Sequence, residues 1–243
     1  MARAAPKKVA LVTGANKGIG FETVRQLAKL GFTVLLGARD EAKGRQAASR
    51  LEADGVVVEP LKLDVTNDAD RKAAARSVAE RFGHLDVLVN NAGISEGVSF
   101  KAATVAEDVL RHTFDTNFFA VVALTRELLP LLRRSDAGRI VNVSSQLGSL
   151  TLNSDGAFGD YGVPGYHASK AALNMYTVLL ARELRDTRIK VNAAHPGWVK
   201  TDLGTDAAPL EVGDGAMTSV RLATLGPDGP SGGFFHMEKT LPW

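Results

Sequence analysis

Short apolar runs alternate regularly with longer segments of helical periodicity, and this alternation restricts the possible folds more than any other feature of the sequence. It is typical of a parallel sheet whose strands are joined by crossover helices. The runs are rich in Val, Leu and Ile throughout, which indicates strands that are covered on both faces. The predicted strands are 9–13, 33–38, 56–63, 86–90, 139–144, 190–194 and 233–236.

Two of the intervening segments have clear helix ends. Residues 18–30 stop at Gly31 and residues 67–82 stop at Gly83, where glycine favours the left-handed conformation that closes a helix. No Pro-, Ser- or Gly-rich linker and no internal repeat divides the chain. We therefore predict one α/β domain over residues 1–243, a doubly wound Rossmann-type fold with a parallel sheet of about seven strands and helices on both faces.

Composition and charge exclude several classes of protein. The chain has 29 Lys and Arg against 27 Asp and Glu, and its hydrophobic fraction is 45%, as in ordinary globular proteins. It has no cysteine, which excludes disulfides and thiolate metal sites and suits the cytoplasm. The five histidines lack metal-ligand spacing. We predict no metal, no nucleic-acid partner and no membrane span, because basic residues are scattered and the longest apolar run is short.

The first predicted strand runs directly into a glycine-rich turn. Gly14, Gly18 and Gly20 allow a tight turn and a close backbone approach, and the exposed N–H groups of the next helix favour a diphosphate. The remaining turn residues of this predicted cofactor site are Asn16, Lys17 and Ile19. The spacing differs from the commoner G-x-G-x-x-G pattern, and a plain strand-to-helix connection is the alternative.

The charge after the second predicted strand indicates which dinucleotide binds. NAD sites usually carry an acidic residue there, whereas this chain has Arg39. With Lys17 as a second cation, two contacts worth roughly 1.5–3 kcal/mol each would favour a 2′-phosphate about a hundredfold. We therefore predict NADP(H) as the cofactor, and a surface pair between Arg39 and Asp40 is the alternative.

Two further strand ends extend the predicted cofactor site. Asp64 follows the third strand and can accept a hydrogen bond from the adenine amino group, although it could merely start the next helix. The fourth strand ends in Asn90, and the next residues would pass the ribose of the cofactor. These residues are Asn91, Ala92 and Gly93.

Tyr166 and Lys170 lie four positions apart in a segment with good helix formers. At this spacing two side chains share a helix face, with Cβ atoms about 5–6 Å apart. A neighbouring ammonium favours the phenolate, so we expect the pKa of Tyr166 to lie a few units below its usual value near 10. Tyr166 would then donate a proton near neutral pH.

Two serines end the fifth predicted strand. When a hydride converts a carbonyl to an alkoxide, the oxygen needs a hydrogen-bond donor beside it. Alternation along the strand leaves Ser145 at its rim, so we predict Ser145 as this donor and keep Ser144 as the alternative. The structural alternative is that Ser144 and Ser145 are a pair of hydroxyls that only cap the end of the strand.

Together these motifs resemble those of the short-chain dehydrogenase/reductases. The chain also resembles the monomeric NADPH-dependent carbonyl reductases of that family, through Gly-Ala-Asn-Lys-Gly-Ile-Gly, Thr116-Asn117-Phe118-Phe119 and a C-terminal Trp243. The family motifs occur in order as Thr13-Gly14-x-x-x-Gly18-Ile19-Gly20, Asp64-Val65, Asn90-Asn91-Ala92-Gly93, Asn117, Ser145, Tyr166-x-x-x-Lys170 and Pro196-Gly197.

The resemblance implies a reductase that transfers hydride from NADPH to a carbonyl group. Tyr166 would be the catalytic acid/base, Ser145 would orient the carbonyl, and Lys170 would bind the nicotinamide ribose and tune Tyr166. Asn117 would hold a water that links Lys170 to solvent; by itself it would be interpreted as a structural polar residue in an apolar helix. The nicotinamide amide and diphosphate would be lined by Pro196, Gly197, Val199 and Thr201.

Two stretches, about 147–165 and 197–215, interrupt the strand and helix pattern at the carboxyl ends of strands, where open parallel sheets bind ligands. Their apolar side chains indicate a pocket without a fixed cation, so we predict neutral ketones or aldehydes as substrates. The predicted pocket residues are Leu147, Phe158, Tyr161, Trp198 and Leu203. The alternatives are a 3-oxoacyl carrier-protein reductase and a catalytically inactive NADP-binding regulator.

Ser145 and Tyr166 are separated by 21 positions. This separation is longer than in plain family members and much shorter than the insertion that covers the subunit interface in monomeric carbonyl reductases. The sequence therefore leaves open whether the protein is a monomer or a homo-oligomer.

Overall fold

The computed structural model describes residues 7–96 and 101–243, and within these ranges eight strands form one sheet. The strands are β1 Val9–Val12, β2 Thr33–Ala38, β3 Glu59–Lys62, β4 Val87–Asn90, β5 Arg139–Val143, β6 Lys190–Ala194, β7 Phe234–His236 and β8 Lys239–Thr240. Their order is β3-β2-β1-β4-β5-β6-β7-β8. Neighbouring strands are parallel except β8, which runs antiparallel to β7.

Helices cover both faces of the sheet. One buried apolar cluster includes Leu124 and Leu128, and the cluster on the other face includes Leu27 and Leu51. A turn of π-helix, Asp115–Phe119, joins two of the helices. The helices are α1 Gly18–Lys29, α2 Glu41–Ala53, α3 Asp68–Phe82, α4 Glu107–Phe114, α5 Ala120–Leu132, α6 Leu150–Ser154, α7 Pro164–Glu183 and α8 Val212–Ala223.

The predicted doubly wound α/β fold is confirmed, with differences at element ends. The predicted strand 56–63 is only β3 Glu59–Lys62, because the backbone N–H of Val56 bonds the Leu51 carbonyl and closes α2. Pro60 is tolerated because β3 is an edge strand. The loop predicted at 197–215 ends where α8 begins, at Val212.

A buried arginine joins the start of β5 to the end of α8. Arg139 is only 2% exposed. Its guanidinium donates to the carbonyls of Leu225 at 2.7 Å and Gly226 at 3.1 Å, and on its other side to Gly138 at 2.7 Å and Arg188 at 3.2 Å. Burial lowers its pKa, and no carboxylate pairs with it among the described residues.

Two structural absences hold for the described residues. No helix among residues 7–96 and 101–243 is long and apolar enough to cross a membrane. In the same ranges, no three His, Cys, Asp or Glu side chains are placed to hold a metal ion.

Candidate active site

The glycine-rich turn between β1 and α1 forms a cradle for an anion. Gly14 and Gly18 have φ of +62° and +57°, a conformation that L side chains rarely adopt. A Cβ on Gly20 would lie 2.8 Å from the backbone oxygen of Gly14 and 2.4 Å from Asn91 Nδ2, so only glycine fits there. No side chain caps the N-terminus of α1, so its N–H groups remain available to a ligand. These features fit the diphosphate of a dinucleotide.

The segment after β4 supports this cradle. Thr13 Oγ1 accepts hydrogen bonds from the backbone N–H groups of Asn91 at 3.0 Å and Ala92 at 2.9 Å. Asn91 Nδ2 donates to the Thr13 carbonyl at 2.8 Å. A Cβ on Gly93 would lie 3.6 Å from Lys170 Nζ. The segment therefore connects the cradle to the side chains of α7.

The segment after β6 lies against the other side of the cradle. Gly197 has φ of +89°, and a Cβ there would lie 2.4 Å from Leu210 Cδ1. Val199 is buried and bridges to Leu210. A Cβ on Gly18 would lie 3.4 Å from Thr201 Cγ2, so Thr201 borders the turn. Its predicted contact with the diphosphate remains a prediction.

The two predicted phosphate-binding cations differ in their surroundings. Arg39 is exposed at the end of β2 and forms no ion pair with any described residue. Asp40 does not pair with it and instead caps α2, accepting from the Lys43 N–H at 3.0 Å. Lys17 is also exposed, but its ammonium is paired with the carboxylate of Asp202. Asp202 was not predicted as part of the site.

The structural alternative for Asp64, that it starts the next helix, is wrong, because α3 begins at Asp68. Asp64 Oδ1 accepts from the N–H and hydroxyl of Thr66 at 3.0 and 2.7 Å, which closes a tight turn after β3. Asn67 caps the helix instead, accepting from the Asp70 N–H at 3.1 Å. Val65 is buried beside it. The predicted contact of Asp64 with adenine remains a prediction.

Tyr166 and Lys170 share a face of α7, as their spacing predicts. Lys170 is buried, and its Nζ lies 5.6 Å from the centre of the Tyr166 ring. The ammonium donates a 2.7 Å hydrogen bond to the Val143 carbonyl at the end of β5. The pair is therefore held at the carboxyl edge of the sheet, beside Gly93.

The expected acidification of Tyr166 is wrong for the protein without a cofactor. Burial raises the pKa of Tyr166 to about 12, and the nearby Ser145 hydroxyl only partly opposes this. Burial also lowers the pKa of Lys170 to about 8. The Lys170 ammonium, which donates to the Val143 carbonyl, does not outweigh this effect of burial. At neutral pH, Tyr166 is a protonated donor and Lys170 is mostly charged.

The two serines after β5 have different partners. Ser144 is buried, and its hydroxyl donates to Asn174 Oδ1 at 2.6 Å. Ser145 caps the following short turn, accepting from the Leu147 N–H at 3.2 Å. Its hydroxyl also interacts with the Tyr166 phenol and favours a lower pKa there. This arrangement favours Ser145 over Ser144 as the carbonyl-orienting donor.

Asn117 lies in the π-helical turn between α4 and α5, a feature that often marks functional sites. Its Oδ1 accepts from the Ile94 N–H and its Nδ2 donates to the Ile94 carbonyl, both at 2.8 Å. Nδ2 also donates to Ser169 Oγ at 3.1 Å. The side chain therefore fixes the segment after β4 to α7, a structural role. Its predicted contact with a water remains a prediction.

Gly148 is a site residue that the sequence analysis missed. A Cβ there would lie 2.6 Å from the Lys170 carbonyl carbon and 2.7 Å from Lys170 Cβ. Asn174 Nδ2 adds a 3.2 Å hydrogen bond to the Gly148 carbonyl. The chain after Ser145 thus lies directly on α7 at Lys170. A glycine three residues after Ser145 was the available signal.

The predicted pocket residues lie on the two expected loops, and most are accessible. Leu147 and Phe158 are half-buried, whereas Tyr161, Trp198 and Leu203 are at least 50% exposed. The rings of Phe158 and Tyr161 lie 6.5 and 6.2 Å from the ring of His167, a residue not predicted to matter. Trp198 Nε1 donates to the Gly204 carbonyl at 2.5 Å.

Known proteins of similar sequence and fold include dehydrogenases and carbonyl reductases. The short chain dehydrogenase family model matches residues 8–210. Short-chain dehydrogenase/reductase 1 of Saponaria officinalis is 37% identical, covering 98% of this chain and 97% of the relative. Carbonyl reductase (NADPH) 1 of Mus musculus is 36% identical, covering 98% and 99%. The crystal structure of NADPH-bound carbonyl reductase from chicken fatty liver has a TM-score of 0.85 at 30% identity, covering 98% and 100%.

Proposed function

The chain belongs to the short-chain dehydrogenase family, and from this membership we propose that it is an NADPH-dependent carbonyl reductase acting on neutral ketones or aldehydes. The observation that carries the proposal is the grouping of Tyr166, Lys170 and Ser145 at the same sheet edge as the glycine cradle. A proton donor, a cation and a hydroxyl donor beside a dinucleotide site are the groups that carbonyl reduction needs.

Each of these side chains has a separate task in the proposed reaction. Bound NADPH supplies the hydride that reduces the carbonyl carbon. Ser145 donates a hydrogen bond to the carbonyl oxygen, and Tyr166 donates its proton to the same oxygen as negative charge develops there. Lys170 places a positive charge beside the phenol, which stabilises the phenolate left after proton transfer. Asn117 keeps the segment after β4 against α7.

The choice of NADPH over NADH rests on Arg39. Replacing Arg39 with alanine is expected to raise the KM for NADPH by roughly 10- to 100-fold, because a charge-assisted contact with the 2′-phosphate is lost. The KM for NADH should change by about twofold or less, since NADH lacks that phosphate. Steady-state kinetics with both cofactors would measure this.

The matched control for Arg39 is Arg45→Ala, which removes an exposed arginine of α2 that pairs with Glu41. It should leave both KM values unchanged. Equal losses for NADPH and NADH in Arg39→Ala would contradict a 2′-phosphate contact.

A panel of carbonyl compounds tests the reaction itself. NADPH oxidation is expected to be at least tenfold faster, in kcat/KM, with neutral aliphatic or aromatic ketones than with keto acids, because the apolar loop residues include no cation. An acyl-carrier thioester as the best substrate would favour a 3-oxoacyl carrier-protein reductase. NADPH binding without turnover on any carbonyl would favour the regulator.

A further inference from the structure

The ion pair between Lys17 and Asp202 crosses between two parts of the cofactor site. Lys17 lies in the glycine cradle and immediately precedes α1, whereas Asp202 lies 185 positions later in the segment after β6. Lys17 is the main cause of the lowered pKa of Asp202. The nearby cation Lys200 is not shared, because it pairs with Glu211.

Local structure fixes the backbone position of Asp202. It belongs to a tight turn in which Thr201 Oγ1 accepts from the Gly204 N–H at 3.1 Å, and the Thr205 N–H donates to the Thr201 carbonyl at 2.8 Å. Thr201 itself borders Gly18. The backbone of the turn therefore places Asp202 at the rim of the cradle, independently of its contact with Lys17.

Building on the proposed use of NADPH, we propose that Asp202 is a specificity-determining residue, whose carboxylate competes with the 2′-phosphate of the cofactor for Lys17. The ammonium has one strong anionic partner in the protein without cofactor. A 2′-phosphate bound between Arg39 and Lys17 must replace that partner. Asp202 therefore weakens the binding of cofactors that carry a 2′-phosphate. It reduces the selectivity for NADPH over NADH.

The competition sets the direction of the effect of replacing Asp202, and the exposure of the ion pair sets its size. Both side chains are largely exposed, at 66% for Lys17 and 78% for Asp202, and exposed ion pairs are weak and screened by salt. Asp202→Asn should therefore tighten NADPH binding about three- to fivefold at low salt. NADH, which has no 2′-phosphate, should bind with an unchanged Kd.

Direct binding measurements on the full chain test this without any turnover. We would measure Kd by titration calorimetry for NADPH, NADH, 2′,5′-ADP and 5′-AMP with the wild type, Asp202→Asn, Lys17→Met and the double variant. The expected result is tighter binding of NADPH and 2′,5′-ADP by Asp202→Asn alone, with no gain in the Lys17→Met background. Asp206→Asn is the control, since it removes another exposed aspartate of the same loop.

Three outcomes would overturn the inference. They are an unchanged Kd for NADPH in Asp202→Asn, an equal gain for NADH, and a gain that persists in the Lys17→Met background, which would indicate direct repulsion instead of competition. Failure of the wild type to bind either dinucleotide would contradict the proposed function itself. Thermal unfolding of each variant checks that the fold is retained.

Discussion

Replacing Tyr166 with phenylalanine is expected to lower kcat for ketone reduction by about 10²- to 10⁴-fold, the usual contribution of a positioned general acid. Only the hydroxyl is lost, so the ring that lies 5.6 Å from Lys170 Nζ is kept. Because the pKa of Tyr166 is raised to about 12, the lost group is a protonated donor throughout the neutral range. The Kd for NADPH should be nearly unchanged, and stopped-flow single-turnover measurements would separate binding from chemistry.

The control for this prediction is Tyr176→Phe on the same helix. Tyr176 packs edge-to-face on Phe118 and is half-buried, and burial raises its pKa. Its hydroxyl is not part of the proposed site, so kcat should stay within about twofold of the wild type. Full ketone turnover by Tyr166→Phe would remove the basis of the proposed function.

Replacing Arg139 with methionine is expected to lower the free energy of unfolding by about 2–4 kcal/mol, the cost of leaving two carbonyl acceptors without a donor. Methionine fills similar space but removes the guanidinium that donates to the carbonyls of Gly138, Arg188, Leu225 and Gly226, and each carbonyl loses a charge-assisted partner. The Gly138 and Gly226 carbonyls keep backbone donors, the N–H groups of Lys190 and Gly229, so the main loss falls on Leu225 and Arg188. Urea denaturation at pH 7 would measure the loss as a shift in midpoint.

Two variants bracket the Arg139 prediction. Arg139→Lys keeps the charge but replaces the planar fork with one ammonium, so an intermediate loss is expected. Arg188→Met removes an exposed arginine that pairs with Asp136, and it should change stability by about 0.5 kcal/mol or less. An Arg139→Met protein as stable as the wild type would show that the carbonyls find other donors.

The sequence predicts most of the fold because the strand signals are strong. The runs that became β2 and β6 have the predicted bounds, since apolar strands in a parallel sheet differ clearly from the amphipathic helices around them. The segment 56–58 was predicted wrongly because β-branched residues can also pack outside a ladder. The two-residue β8 has no periodicity to detect, as it consists of exposed Lys239 and Thr240.

The candidate site was predictable where spacing along one element decides it. Tyr166 and Lys170 are on one helix, so their shared face follows from the helical repeat. Contacts between distant segments were not predictable in this way. Neither the bond from Lys170 to Val143 nor the ion pair of Lys17 with Asp202 has a sequence signal. The raised pKa of Tyr166 depends on burial, which only the packed structure gives.

The contact of Gly148 with Lys170 has a consequence for how such a protein can diversify. Gly148 is fixed against α7 at one end of the segment, and Pro164 starts α7 at the other. Exchange or resizing of residues 150–162 in library selections is therefore expected to leave both attachment points, and with them Tyr166, in place. We therefore expect that substrate selectivity can change through replacement of this segment without a loss of catalytic activity.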